Sequence, residues 1–233
     1  MRAVLFDLFD TLVYSPSADS REAVVALVEA AGVSRNDWRR GWHLSFEPAV
    51  RGDVASLRER VALALKLIAP ADPEGELVER ITEALRTRED PQLYPDVPTA
   101  LAELRRRGYR LGLVSNIACD ENRLLMRLGI DVMMDELILS CTVHSVKPEP
   151  EIYRIAAAWL RVAPQECAFV DDITDYVEGA RRVGMTGVRI DRPNLGKDKT
   201  RDTRYDMRIE NLQELLEWLP ARAGRVDTER EQQ

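Results

Sequence analysis

Short, unbroken apolar runs alternate with helical-period segments over most of the chain, and one long stretch breaks that alternation. The chain opens with Ala3-Val4-Leu5-Phe6, four apolar residues in a row, which suits a strand buried on both faces. Apolar runs recur at residues 110–115 (RLGLVS), 136–140, 167–170 (CAFV) and 187–190, each predicted as a strand. The spacing between them predicts helices over 99–107, 120–128, 151–160, 176–183 and 211–219, with Gly108, Gly129 and Gly184 as stops. Strands alternating with helices imply a parallel sheet covered on both faces.

Residues 20–88 differ. Val24, Val25, Leu27 and Val28, and later Val61, Leu63, Leu65 and Leu67, recur at helical spacing with charges between them. Loop signals fall at Pro48, Arg51-Gly52-Asp53 and residues 70–73, and Pro91, Pro95 and Pro98 punctuate the return. The expected organisation is an α/β core split between residues 1–14 and 92–220, a helical insertion over 15–91, and a loose polar tail over 221–233.

Composition narrows the class. Hydrophobic residues at 45% and charged residues at 31% are a globular balance. The net charge of −7 argues against a nucleic-acid or anionic-membrane partner, and apolar runs fall far short of the ~18 residues a spanning helix needs. The apolar start ends at Asp7, too short for a signal-peptide core. Cys119, Cys141 and Cys167 are odd in number and widely spaced, which predicts reduced buried thiols and a cytoplasmic location. With only two histidines, His43 and His144, a His-rich zinc site is excluded. Chemistry must come mainly from carboxylates, hydroxyls and lysine.

Those groups cluster at the predicted strand ends, where parallel α/β sheets bind ligands. Asp7, Asp10 and Thr11 follow the first strand, and Ser115 and Asn116 end the second. Lys147 lies beyond the third, and Asp171 and Asp172 follow the fourth. Carboxylates brought together repel unless a cation compensates, and all-oxygen ligation favours Mg²⁺. Such a site suits a phosphoryl group: a carboxylate nucleophile, with lysine and metal to neutralise charge.

Four segments in order, FDLFDTL from Phe6, VSN ending at Asn116, KPEPEIY from Lys147 and FVDD ending at Asp172, resemble the motifs of the haloacid dehalogenase-like hydrolase superfamily. The resemblance runs from Phe6 to about Leu219. It implies a Rossmann-like parallel-sheet core with an α-helical cap inserted after the first motif. It also implies roles: Asp7 as the nucleophile that forms an aspartyl intermediate, Ser115 and Asn116 as binders of the transferring group, and Lys147 as the lysine steadying nucleophile and phosphate. Thr11 would stabilise the loop after the nucleophile. Asp7, the Phe9 backbone carbonyl and Asp172 would hold Mg²⁺, with Asp171 a further candidate.

The chain departs from the family's phosphatase pattern at Phe9, where a second Asp usually acts as acid and base. Asp10 is one residue further on, and a one-residue shift in an extended segment reverses a side chain's direction, so Asp10 is not expected to substitute. An aromatic residue there resembles the 2-haloacid dehalogenases, yet their fourth motif is hydroxyl- and amide-rich where this chain has Asp171-Asp172. Their cap arginine has four candidates here: Arg21, Arg39, Arg40 and Arg51. Trp42 and His43 either face substrate or pack. Tyr176 stands where many relatives carry a further Asp, and Asp175 reads as a helix-start charge.

The leading expectation is a Mg²⁺-dependent phosphatase of a small phosphorylated metabolite, acting as a monomer or homodimer. The alternatives are a 2-haloacid dehalogenase, or a catalytically weak or inactive member that binds its ligand without turnover.

Overall fold

The computed structural model describes residues 1–15, 19–68, 75–86, 91–119, 122–193 and 203–220. Residues 70–73, Asp120 and the tail over 221–233 lie outside the described residues. The core is a six-stranded, wholly parallel sheet of order β5-β4-β1-β6-β7-β8. Its strands are β1 (Ala3–Phe6), β4 (Arg110–Ser115), β5 (Glu136–Leu139), β6 (Cys167–Asp171), β7 (Thr186–Ile190) and β8 (Met207–Ile209). Two short strands, β2 (Val13–Tyr14) and β3 (Gln92–Leu93), pair antiparallel where the chain leaves the core and where it returns.

The period of two along each strand divides the core into two layers. Val4 and Phe6 of β1, with Ala168 and Val170 of β6, face helices α6 (Val97–Arg106) and α12 (Leu212–Trp218). Ala3, Leu5, Cys167 and Phe169 face α10 (Pro150–Trp159) and α11 (Thr174–Arg182). Every residue of β1 and β6 is buried, which explains the apolar runs at Ala3–Phe6 and at residues 167–170. Gly112 lets β4 lie under that second layer, since a Cβ there would sit 2.6 Å from Leu5 Cδ2. The predicted stops Gly108 and Gly184 take positive φ of 79° and 95°, the left-handed backbone that ends a helix.

Between β2 and β3 lie α1 (Asp19–Ala30), α2 (Arg35–Leu44), α3 (Phe46–Val50), α4 (Leu57–Lys66) and α5 (Glu76–Arg86). These helices have a core of their own, built on Val24, Val28, Trp38, Val61, Ala64 and Ile81. The C-terminal end of α3 docks on the sheet unit: Ser140 Oγ donates to the Val50 carbonyl at 2.6 Å, and Arg51, just beyond the helix, pairs with Glu149 at 2.5 Å.

Three expectations change. The third predicted strand stops at Leu139, because Ser140 opens a short helix, α9 (Ser140–Val143). Strand β8 was unpredicted, being three residues among charged neighbours. The cysteines are not all thiols: Cys119 and Cys141 form a disulfide, their Cα atoms 5.6 Å apart beyond the ends of the adjacent strands β4 and β5. The cytoplasmic expectation loses that support. Cys167 is a buried free thiol, and burial pushes it up to about 12. Among the described residues no helix is long and apolar enough to cross a membrane.

Candidate active site

Asp7 leaves the end of β1 with its amide bonded to the Val170 carbonyl of β6 at 2.9 Å. A tight turn follows, in which the Leu8 carbonyl accepts from Leu12 N (2.8 Å) and Val13 N (3.0 Å). Leu8 and Leu12 are fully buried and anchor this turn in the core. Asp10 sits at φ 59°, left-handed backbone that Asp tolerates better than most residues. That conformation undoes the expected reversal. Asp10 lies on the cavity wall beside Phe9, and its charge is felt by Asp172.

Lys147 is 2% exposed, and its ammonium spans two carboxylates: Nζ lies 2.5 Å from Asp7 Oδ1 and 2.7 Å from Asp171 Oδ2. Asn116 fixes the lysine backbone by a two-point clasp, its Oδ1 accepting from Lys147 N (2.8 Å) and its Nδ2 donating to the Lys147 carbonyl (3.0 Å). Asp171 spends its second oxygen on Ile173 N at 2.7 Å. Carboxylate oxygens of Asp7, Asp171 and half-buried Asp172 lie within 4.8 Å of one another. Ser115 is 1% exposed and lines the cavity; its Oγ has no hydrogen-bond partner among the described residues. Thr11 Oγ1, also buried, likewise has none, whereas the Thr11 carbonyl accepts two N–H groups of Arg192.

Negative charge is in excess. Burial, with Asp7 and Asp10 adding like charge, pushes the Asp172 carboxyl up to about 7. Burial also pushes Asp171 up, against the pull of Lys147. For Lys147 itself burial favours the neutral amine, but Asp171 and Asp7 outweigh it and hold the ammonium above its usual range. Three carboxylates gather about one ammonium, with Asp10 nearby on the cavity wall, a balance that a bound cation would complete.

Asp7, Asp10, Lys147 and Asp172 line a cavity of about 240 Å³, to which the helical insertion contributes Phe46, Val50 and Arg60. Arg60 is 8% exposed, stacks its guanidinium 3.9 Å above the Trp42 ring, and places Nε 3.5 Å from Ser45 Oγ. None of the four expected cap arginines is seen at the cavity: Arg39 is exposed, Arg40 pairs with Asp37, Arg51 pairs with Glu47 and Glu149, and the Arg21 side chain is outside the description. Arg60 was missed. Its signal was a charge on the buried stripe of α4, three residues from Leu57 and four from Ala64. Asp175 pairs with Arg204 at 2.9 Å, Tyr176 lines the cavity, Trp42 supports Arg60, and His43 is exposed.

Carboxylates, a buried ammonium and a buried hydroxyl without a partner among the described residues thus gather at the carboxyl ends of a parallel sheet on a Rossmann-like core, beside the helices inserted between β2 and β3. The haloacid dehalogenase-like hydrolase family matches residues 1–184, and the chain belongs to that family. It is 34% identical over 226 residues to a glyceraldehyde 3-phosphate phosphatase of Methanopyrus kandleri, covering 93% of this chain and 96% of that one. It is 28% identical over 198 residues to (S)-2-haloacid dehalogenase 4A of Burkholderia cepacia, covering 82% and 84%. A crystal structure of a HAD phosphatase from Thermococcus onnurineus superposes with a TM-score of 0.68 at 27% identity, covering 95% of this chain and 99% of that one.

Proposed function

We propose that the protein is a Mg²⁺-dependent phosphatase of a small phosphorylated metabolite, with Asp7 as nucleophile. One observation carries this reading: a buried ammonium bridges the carboxylate at the end of β1 to the one at the end of β6, with a further acidic side chain beside them. The hard, all-oxygen donors fit Mg²⁺. Asp7, Asp172 and the Phe9 carbonyl would hold it. Asp171 serves Lys147 instead, since both its oxygens already accept N–H groups. When bound, the ion supplies positive charge to the phosphoryl oxygens.

Asp7 attacks phosphorus and the alkoxide or aryloxide leaves, giving an aspartyl phosphate that water then hydrolyses. Lys147 holds Asp7 oriented and neutralises the charge that builds on the phosphoryl oxygens. Ser115 Oγ donates to one of those oxygens, a role that fits a buried hydroxyl without a partner among the described residues, on a residue that lines the cavity. Asn116 keeps Lys147 in place. Helices α1–α5 act as the cap, and Arg60 with Phe46 faces the remainder of the substrate.

Phe9 on the cavity wall favours a second reading, metal-independent displacement of halide from a 2-haloacid by Asp7. The acidic pair Asp171-Asp172 weighs against it, because carbon–halogen displacement has no use for so much uncompensated negative charge. Hydrolysis of an aryl phosphate and a panel of phosphorylated metabolites, glyceraldehyde 3-phosphate included, with Mg²⁺ and with excess EDTA, separates the two. Phosphate release that EDTA abolishes is expected. Halide release from 2-chloropropionate, unaffected by EDTA and without phosphate release from any ester, would replace this reading.

A further inference from the structure

The turn carrying the residues after Asp7 is gripped from behind by a side chain outside all four motifs. Arg192 follows β7 and is 3% exposed. Its Nε and Nη2 both donate to the Thr11 carbonyl, at 3.1 and 2.7 Å, while Nη1 donates to both oxygens of Asp96, at 3.0 and 2.8 Å. Its guanidinium carbon lies 4.1 Å above the Tyr94 ring. Tyr94 N in turn donates to the Leu12 carbonyl at 3.0 Å, and Asp96 Oδ2 accepts from Leu212 N at 2.7 Å. One guanidinium thus joins three things: the turn after Asp7, the β3 segment by which the chain returns to the core, and the start of α12.

We propose that Arg192 is a positioning residue for the reaction, holding the turn of residues 8–13 so that Asp7, Phe9 and Asp10 face the cavity in fixed register. This rests on the reading of Asp7 as nucleophile. Thr11 Oγ1 cannot do this work, having no partner among the described residues, so the grip on this residue passes through its carbonyl. The turn is stiff, because Leu8 closes it with two bonds, and a shift at Thr11 is transmitted to Phe9 and Asp10. Burying a guanidinium is costly unless its N–H groups are used, and here the planar fork divides between a carboxylate and a carbonyl. An ion pair alone would need only Asp96.

The test compares Arg192→Met, Arg192→Lys and Asp96→Asn on p-nitrophenyl phosphate at saturating Mg²⁺, below the melting point of each. A small misplacement near the reacting groups costs roughly 10²-fold, so Arg192→Met should lose about that in kcat with KM within about threefold. Arg192→Lys, keeping a cationic donor to Thr11, should recover part of the loss. Asp96→Asn, which leaves the Thr11 bonds, should stay within about threefold of wild type. Amide hydrogen exchange reads the same claim without catalysis: residues 8–13 should exchange faster in Arg192→Met, or in Arg192→Lys should the Met variant not fold, while β4 and β6 stay protected. Unchanged exchange in 8–13, a loss of protection spread across the whole sheet, or an Asp96→Asn defect as large as that of Arg192→Met would overturn the inference. A wild type inactive on every phosphate ester would defeat the phosphatase reading, and the exchange measurement would still decide on Arg192.

Discussion

Lys147 Nζ lies 2.5 Å from Asp7 Oδ1, and the same ammonium is held by Asp171 at 2.7 Å. Removing that cation leaves two carboxylates facing each other out of water. Breaking a buried charge network from one side typically costs about 3–5 kcal/mol, so Lys147→Met should be destabilised on that scale as well as inactive. Urea unfolding of wild type and variant at pH 8 checks this. Equal midpoints would mean that the lysine does not neutralise the pair.

Asp172 gives the metal-free protein a pH dependence of definite sign. Its carboxyl is pushed up to about 7 from an ordinary 3.8, mainly by burial. Between those values the folded state holds a proton that the unfolded chain has released, so stability falls as pH rises through the window. Mg²⁺ competes with that proton. The ion should therefore raise Tm clearly at pH 8 and little at pH 5, and in EDTA at pH 8 Asp172→Asn should melt above wild type. A Mg²⁺-induced rise of equal size at both pH values would contradict the ligand assignment.

Phe9 cannot protonate a leaving group, and general acid–base help is typically worth ~10²–10⁴-fold. Aryl and acyl phosphates leave without it, whereas alkyl phosphates need it. The wild type should therefore show a steep dependence of kcat/KM on leaving-group pKa, and Phe9→Asp should flatten it. Equally rapid hydrolysis of both classes, abolished by Asp10→Asn, would assign the proton to Asp10 on the same wall.

Arg60 lines the cavity, and in the proposed reading it faces the part of the substrate beyond phosphorus. A hydrogen bond to a charged donor is worth about 1.5–3 kcal/mol, or about 10–100-fold in binding. Arg60→Met should raise KM by that order for metabolites bearing a hydroxyl, carbonyl or carboxylate at that end, with kcat and aryl phosphate hydrolysis little changed. An equal loss on aryl phosphate would show that Arg60 acts at the phosphoryl group or on the fold instead.

What the sequence revealed was local in origin. Buried parallel strands read as apolar runs, so Ala3–Phe6 and residues 167–170 are visible in the sequence, and the polar residues at their ends fall on one edge of the sheet by spacing alone. Pairs of two-residue strands, such as Val13–Tyr14 with Gln92–Leu93, are too short to leave a period. Direction at Asp10 depended on a single left-handed residue that spacing alone does not reveal. The Cys119–Cys141 bond and the grip of Arg192 on Thr11 join segments 22 and 181 residues apart, and no local pattern encodes either.

In the proposed mechanism Asp7 carries the phosphoryl group during turnover. Rapid acid quench with an aryl phosphate and Mg²⁺, followed by peptide mass mapping, should find one added phosphoryl group on the peptide containing Asp7. Asp7→Asn should show neither the adduct nor more than a trace of turnover. Wild-type turnover with no adduct at Asp7, or an Asp7→Asn variant keeping more than about a tenth of wild-type kcat, would rule out Asp7 as the nucleophile.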